Sequence, residues 1–170
     1  MSPSPINPRY RPETPFHWLT TSELLVMTTL RLWAMPHRDP DRKHPDWREG
    51  LQAAGLGTDG VEAFDLLLRM VVCTTLRPLD VRCPGCPGVG LDEGLFLQTL
   101  LCLQQHREAS AAALLADWMP PAAVRLAMPH ARALAELLLD HGLTLDHRRQ
   151  AHPRAPALPA SSDRGLTLLH

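Results

Sequence analysis

Two cysteines three positions apart, Cys83 and Cys86, are separated by a proline and a glycine. Both sulfurs of such a turn can face one metal ion, because glycine relaxes the backbone and proline stiffens it. The chain has four cysteines, and the other two are Cys73 and Cys102. Four thiolates satisfy a tetrahedral zinc ion or an iron–sulfur cluster. The sequence therefore predicts a metal site at Cys83, Cys86, Cys73 and Cys102, with zinc as the expected ion and an iron–sulfur cluster as the alternative.

The two outer cysteines differ in how easily they reach this turn. Cys73 lies in the last turn of a predicted helix, ten residues before Cys83, and a break at Pro78 lets the chain return toward it. Cys102 lies well inside the next predicted helix, about 15 Å along its axis. His106, one turn further on the same face, is a candidate for the same fourth position, but the favoured interpretation of His106 is an exposed polar residue at the helix end. Burial of Cys102 as a small apolar side chain is a third interpretation.

A redox dithiol and an inert turn are alternatives to the metal site. Reactive CxxC thiols usually lie at a helix N-terminus, whereas Pro87 and two glycines separate Cys86 from the next predicted helix. His37 and His44 occupy a charged loop with Asp39, Asp41 and Asp46, where a second metal or a base is conceivable but a solvated polar loop is expected. No phosphate-binding loop, nucleophile elbow or HExxH motif is present. We therefore expect a non-enzymatic protein.

Helices must position these residues, because only 5% of the chain is aromatic and the core has to be built from small aliphatic side chains. Thr20 and Glu23 predict a capping box that opens a helix ending near Met35. Two apolar segments, 61–76 and 92–105, predict buried helices on either side of the Pro- and Gly-rich loop that carries the cysteine pair. Shorter helices are predicted at 46–54, 109–118, 121–127 and 130–141, and Gly142 is the expected end of the last one.

A length of 170 residues suits one domain. We predict a single all-α domain of five to seven helices at 17–145, with a metal ion fixing the loop between its two buried helices. A Pro-rich N-terminal arm at 1–16 and a Pro- and Arg-rich tail at 146–170 flank it. Tyr10 and Phe16 are the residues expected to attach the arm to the domain.

The charge of the chain is balanced, with 17 basic and 18 acidic residues, so no overall field attracts nucleic acid or a membrane. Arg125, Arg132, Arg148 and Arg149 are candidates for a local basic edge. No apolar segment approaches the roughly 20 residues that span a bilayer, and the first residues do not resemble a signal peptide. We therefore expect a cytoplasmic protein, and the abundance of Arg, Ala, Leu and Pro indicates a GC-rich bacterial genome.

These observations favour a metal-stabilised accessory protein that acts as a protein-interaction module with an unidentified protein partner. A DNA-binding transcriptional regulator is the first alternative, and an iron–sulfur redox or sensor protein is the second. The oligomeric state is left open by the sequence.

Overall fold

The protein is built from α-helices that follow a short N-terminal segment. The computed structural model describes residues 10–145, so the predicted tail and most of the predicted arm lie outside the described residues. Within that range the fold is all α-helical, without a strand, and forms one domain, as predicted. A short 3-10 turn at Phe16–Trp18 precedes its six α-helices, which are α1 Thr21–Arg38, α2 Arg48–Ala53, α3 Gly57–Thr74, α4 Leu91–Gln104, α5 Glu108–Leu115 and α6 Pro121–Asp140.

The predicted capping box opens α1. The Thr20 hydroxyl accepts a hydrogen bond from the Glu23 amide at 3.3 Å, and the Glu23 carboxylate accepts one from the Thr20 amide at 2.7 Å. The sequence predicted that this helix ends near Met35. It continues instead through Pro36 to Arg38. Pro36 is exposed and lies in the last turn, where the loss of one backbone hydrogen bond is tolerated.

The prediction of two separate helices at 121–127 and 130–141 is wrong. One helix, α6, runs through Pro129 and ends where Gly142 takes a φ of +71°, at the predicted stop. A proline inside a helix costs about 3 kcal/mol. Pro129 faces solvent, while the opposite face of α6 packs against α3 and α4 and buries Ala127, Ala131 and Leu134. Burial of this face offsets the cost of the proline.

Helix α4 lies at the centre of the core, and every side chain from Asp92 to Leu103 is buried. Helices α1, α5 and α6 pack around it, and α3 packs against α6 and α2. Phe64 of α3 meets Phe96 of α4 edge to face, with ring centroids 5.9 Å apart. The two apolar segments predicted to form buried helices therefore meet in the core. None of the described helices is long and apolar enough to cross a bilayer.

The N-terminal segment 10–16 lies along the loop that precedes α4. The Glu13 amide donates to the Val89 carbonyl and the Val89 amide donates to the Thr14 carbonyl, both at 2.9 Å. Tyr10 is buried, and its hydroxyl donates to the Glu23 carboxylate at 2.7 Å. A methyl group added at Gly94 would come within 2.0 Å of the Tyr10 carbonyl oxygen, so only glycine allows this close approach.

Candidate functional site

The predicted CxxC turn is present at the surface, but its two sulfurs are bonded to each other. Cys83 and Cys86 form a disulfide across a turn with a Cα–Cα distance of 5.4 Å. The Cys86 amide donates to the Cys83 carbonyl at 3.0 Å, so the turn is closed by its own backbone. Four residues separate Cys86 from the start of α4, so the turn does not lie at the helix N-terminus, as the sequence indicated. Where the sequence predicted two thiolates on a metal ion, the structure therefore shows an oxidised pair.

The other two cysteines do not join this pair. Cys73 is exposed in the last turn of α3, and Cys102 is buried in α4, where its sulfur accepts a hydrogen bond from the Gln98 amide at 3.5 Å. Among residues 10–145, no three His, Cys, Asp or Glu side chains are grouped to hold a metal ion. The predicted metal-fixed loop is thus not shown. Zinc or iron–sulfur binding by Cys83, Cys86, Cys73 and Cys102 stays an untested prediction.

His106 is exposed and lies where α4 ends, so it does not extend the helical face of Cys102. It takes a left-handed backbone conformation, with a φ of +55°, directly after the C-cap. The His106 amide donates to the Leu103 carbonyl at 3.0 Å, and the Arg107 amide donates to the Cys102 carbonyl at 2.8 Å. This pair of bonds is the Schellman pattern of helix termination. The favoured interpretation of His106 as an exposed polar residue at the helix end therefore agrees with the structure, whereas the alternative that it continues the helical face of Cys102 does not.

The loop between α3 and α4, residues 75–90, is held by a buried arginine. We call it the cysteine loop. Arg31 of α1 donates to the Cys86 carbonyl at 2.7 Å and to the Gly88 carbonyl at 2.8 Å. Its guanidinium also pairs with the Glu93 carboxylate through two bonds of 2.8 and 2.9 Å. Both side chains are fully buried. One guanidinium therefore ties α1, α4 and the cysteine loop together.

Glu93 completes this cluster from the first turn of α4. One of its oxygens accepts the Arg82 amide at 2.9 Å, and the other accepts the Gly90 amide at 2.7 Å. With the two bonds from Arg31, each carboxylate oxygen has two donors. The buried charges are thus paired and hydrogen-bonded, which is the condition under which a buried ion pair is tolerated.

A second arginine fixes the beginning of the cysteine loop. Arg77 donates to both Asp92 oxygens at 2.6 and 3.0 Å, and to Asp117 at 2.5 Å. The Trp118 indole donates to Asp92 at 2.8 Å, and the Asp80 amide donates at 2.5 Å. Burial alone would raise the pKa of Asp92, but the hydrogen bonds from Arg77, Asp80 and Trp118 outweigh it and lower that pKa. Hydrogen bonds from Asp92 and then Asp117 raise the pKa of Arg77.

Sequence reasoning missed both arginines as the residues that hold this loop. Arg31 stands between Leu30 and Leu32 on an otherwise apolar stripe, and Asp92 and Glu93 open the most apolar helix of the chain. Charged residues in such places are rarely buried without a partner. Charged residues at these apolar positions were therefore the sequence signal that could have identified the buried ion pairs.

An apolar slot of about 190 Å³ lies beside the cysteine loop. Its walls come from α1, α3, α4, the cysteine loop and the connection between α5 and α6. Its lining includes Trp33, Leu68, Val72, Leu79, Phe96 and Trp118. An engineered apolar cavity of about 150 Å³ holds one benzene molecule. The slot therefore has the size of one large apolar side chain.

Cationic side chains line the outer edge of this slot. His37 and Arg38 line the slot, and Arg42 lines an adjoining groove that shares Trp33, His37 and Val72 with it. We call Arg38 and Arg42 the cationic lip. Arg38 donates to the Val81 carbonyl of the cysteine loop. Within residues 10–145, neither Arg38 nor Arg42 forms an ion pair with a carboxylate, unlike Arg69, which pairs with Asp65.

The charged loop after α1 is ordered by local contacts. His37 was predicted in this loop but lies in the last turn of α1, where its ring stacks on Trp33 with centroids 4.4 Å apart. In the loop itself, His44 Nε2 lies 2.7 Å from the Asp39 carbonyl oxygen. Among the described residues, no group of three His, Cys, Asp or Glu side chains forms there, and a second metal site or a base stays a prediction.

The predicted basic edge is only partly visible. Arg125 is exposed on α6, whereas Arg132 pairs with Glu108 at 2.8 Å. Arg148 and Arg149 lie outside the described residues.

Comparison of the chain with protein-family models, with curated proteins and with solved structures finds no match. The chemistry of the site is thus the basis for any functional assignment.

Proposed function

We propose that this protein is a non-enzymatic interaction module that binds one apolar side chain of a partner protein in the slot between α1, α3 and the cysteine loop. The slot itself is the observation that supports this proposal. It is apolar, large enough for one leucine, phenylalanine or tryptophan side chain, and open at the surface, where Val72 is 42% exposed.

The slot has a defined shape because both of its sides are anchored. Trp33 donates to Asp65 at 2.8 Å, which links α1 to α3. Trp118 donates to Asp92 from the opposite side of the slot, also at 2.8 Å. A preformed pocket spares the ordering cost that a flexible surface has to meet on binding.

The charge around the slot specifies the partner further. The arginines of the cationic lip, Arg38 and Arg42, face solvent without a carboxylate partner among residues 10–145. An acidic residue next to the apolar anchor complements this charge and increases the rate of encounter. We therefore propose a partner segment in which one bulky apolar side chain is flanked by Asp or Glu.

Titration with short synthetic peptides tests this proposal. The first peptide carries one leucine between glutamates, the second replaces that leucine by alanine, and the third replaces the glutamates by lysines. Fluorescence anisotropy of the labelled peptides reports binding to the full chain. We expect the first peptide to bind at least about tenfold more tightly than the other two, and to weaken as salt is added.

A matched pair of surface variants locates the site. Val72→Asp places a charge at the slot, whereas Leu126→Asp places the same charge on α6, where the side chain is 65% exposed. We expect only Val72→Asp to abolish binding of the leucine peptide. Equal binding by both variants would refute the proposal. Competition by small aromatic carboxylates as strong as that by the peptide would instead identify a small-molecule site.

The other functions predicted from the sequence are separate from this one. DNA binding, an iron–sulfur centre, a bacterial origin and a cytoplasmic location stay predictions, and no contact described above favours them. Zinc binding at the Cys83–Cys86 turn is also a separate prediction, because none of the residues that line the slot is a cysteine.

A further inference from the structure

The tip of the cysteine loop is freely accessible to a second molecule. Cys83, Pro84 and Gly85 are exposed, and Cys86 is partly exposed. A methyl group added at Gly85 would meet no atom within 4 Å. Both cysteines of the turn therefore lie where another protein surface can approach them.

The turn is also held in place independently of its sulfurs. Arg31 donates to the carbonyls of Cys86 and Gly88, and the Phe16 amide donates to the Pro87 carbonyl at 2.7 Å. None of these bonds involves a sulfur atom. After reduction of the disulfide, the two thiols are thus expected to stay side by side on a fixed backbone, ready to bind one ion without a large ordering cost.

A structural zinc site has four protein ligands, which are cysteines and histidines. Within residues 10–145, no third His, Cys, Asp or Glu side chain joins the pair, because Cys73 and Cys102 lie elsewhere. Two turns from two copies of the chain supply the full set. We propose that two copies of this protein bind one zinc ion between their Cys83–Cys86 turns, and that the disulfide is the zinc-free, monomeric form.

The chemistry of this switch balances. A cellular thiol reductant donates two electrons and two protons to the disulfide of each copy and is itself oxidised to a disulfide. The four resulting thiols release four protons as two copies bind one Zn²⁺, which leaves a centre with a net charge of −2. Because the turn is exposed, water can solvate this charge. A reducing compartment such as the cytoplasm would maintain the zinc-bound form.

Zinc titration of the full-length protein tests this proposal. The protein is reduced with a phosphine under anaerobic conditions, freed of metal, and titrated with Zn²⁺ while light scattering coupled to size exclusion measures its molar mass. We expect the mass to rise from the monomer value of 18.9 kDa to twice that value, with saturation at one zinc per two chains. Chelation of the zinc should restore the monomer, and the oxidised protein should neither bind zinc nor dimerise.

Two single substitutions separate this site from the remaining thiols. Cys83→Ser should abolish both zinc binding and dimerisation. Cys73→Ser removes another exposed cysteine and should change neither. Circular dichroism confirms that both variants keep their helices, and Cys86→Ser repeats the test if Cys83→Ser does not fold.

Several results would overturn the shared site. Saturation at one zinc per chain without dimerisation would show that ligands from the same chain, such as histidines after residue 145, complete the site. Absence of zinc binding, equal loss of binding in Cys73→Ser, or brown protein that contains iron would each contradict it as well. Peptide binding in the slot does not depend on any of these outcomes.

Discussion

Asp92 and Glu93 are adjacent residues in the first turn of α4, yet they hold their arginines in very different surroundings. The Glu93–Arg31 pair is closed to solvent, with both side chains 0% exposed. In the Asp92–Arg77 pair the aspartate is 2% exposed, but the arginine is 33% exposed and also contacts Asp117. Water can replace a lost partner only in the second pair. We therefore expect these two carboxylate–arginine pairs to contribute by different amounts to holding the cysteine loop in place.

A third pair extends this comparison to the surface. Arg48 and Asp46 are 45% and 49% exposed, and a backbone hydrogen bond from Arg48 is the largest cause that lowers the pKa of Asp46. Exposed ion pairs contribute little to stability, because solvent screens both charges. The three pairs thus form a series from fully buried to exposed in which each arginine can be removed by the same substitution.

Arg31→Met should have the largest effect. It leaves the buried Glu93 charge without its cation and two cysteine-loop carbonyls without a donor. Loss of one partner of a buried ion pair costs about 3–5 kcal/mol. We expect a loss of this size in the free energy of unfolding, measured by urea denaturation. Arg31→Lys keeps the charge without the guanidinium fork and should fall between wild type and Arg31→Met. A change below about 1 kcal/mol for Arg31→Met would contradict the central role of this residue.

Arg77→Met should have an intermediate effect at neutral pH. Asp92 loses its cation but keeps hydrogen bonds from Trp118 and from the Asp80 amide, so its carboxylate still has two donors. We expect a loss of about 1–2 kcal/mol in the free energy of unfolding. Asp117→Asn, which removes only the exposed partner of Arg77, serves as the control and should have a smaller effect.

Low pH should reduce the difference in stability between wild type and Arg77→Met. The pKa of Asp92 is lower in the folded protein than its usual value of about 3.9 in an unfolded chain. Its ionised form therefore stabilises the fold above about pH 4, and this contribution is lost as the pH falls through the folded value. Urea midpoints of wild type and Arg77→Met should converge as the pH is lowered below about 4. A difference that stays constant there would show that Asp92 does not cause it.

Arg48→Met should have the smallest effect of the three, with a urea midpoint that coincides with that of wild type. Arg48 also stacks on Trp47, with its guanidinium carbon 4.5 Å from the ring centroid, and the methionine side chain preserves part of this apolar contact. If Arg48→Met lowered the free energy of unfolding as much as Arg77→Met does, solvent exposure would not determine how much each ion pair contributes to stability.

Local sequence signals identified most helix starts and stops correctly. Thr20 and Glu23 at the start of α1 and Gly142 at the end of α6 satisfy backbone groups within a few residues along the chain, so their roles follow from sequence alone. The errors at Pro36 and Pro129 have a common cause. Both prolines face solvent, and whether a helix can continue through a proline depends on the packing of its opposite face, which a local pattern does not describe.

The two candidate sites, the cysteine turn and the slot, differ in how far the sequence predicted them. The CxxC motif specified a tight turn, because only four residues and their backbone geometry are involved, and the structure contains it. The slot was not predictable, since Trp33, Leu79 and Trp118 come from three distant parts of the chain. In the sequence these residues were no different from ordinary core positions.

The sequence by itself determined the all-α class, the buried helix α4, the apolar face of α3 and the cysteine turn, because composition, apolar periodicity and turn chemistry act over short distances. Only the tertiary structure decided how the cysteine loop is held and which cysteines meet. Arg31 lies 62 residues from Glu93, and no local pattern couples them. Cys73 is exposed at the end of α3 and Cys102 is buried in α4, and neither of them joins the turn to which the sequence had assigned them.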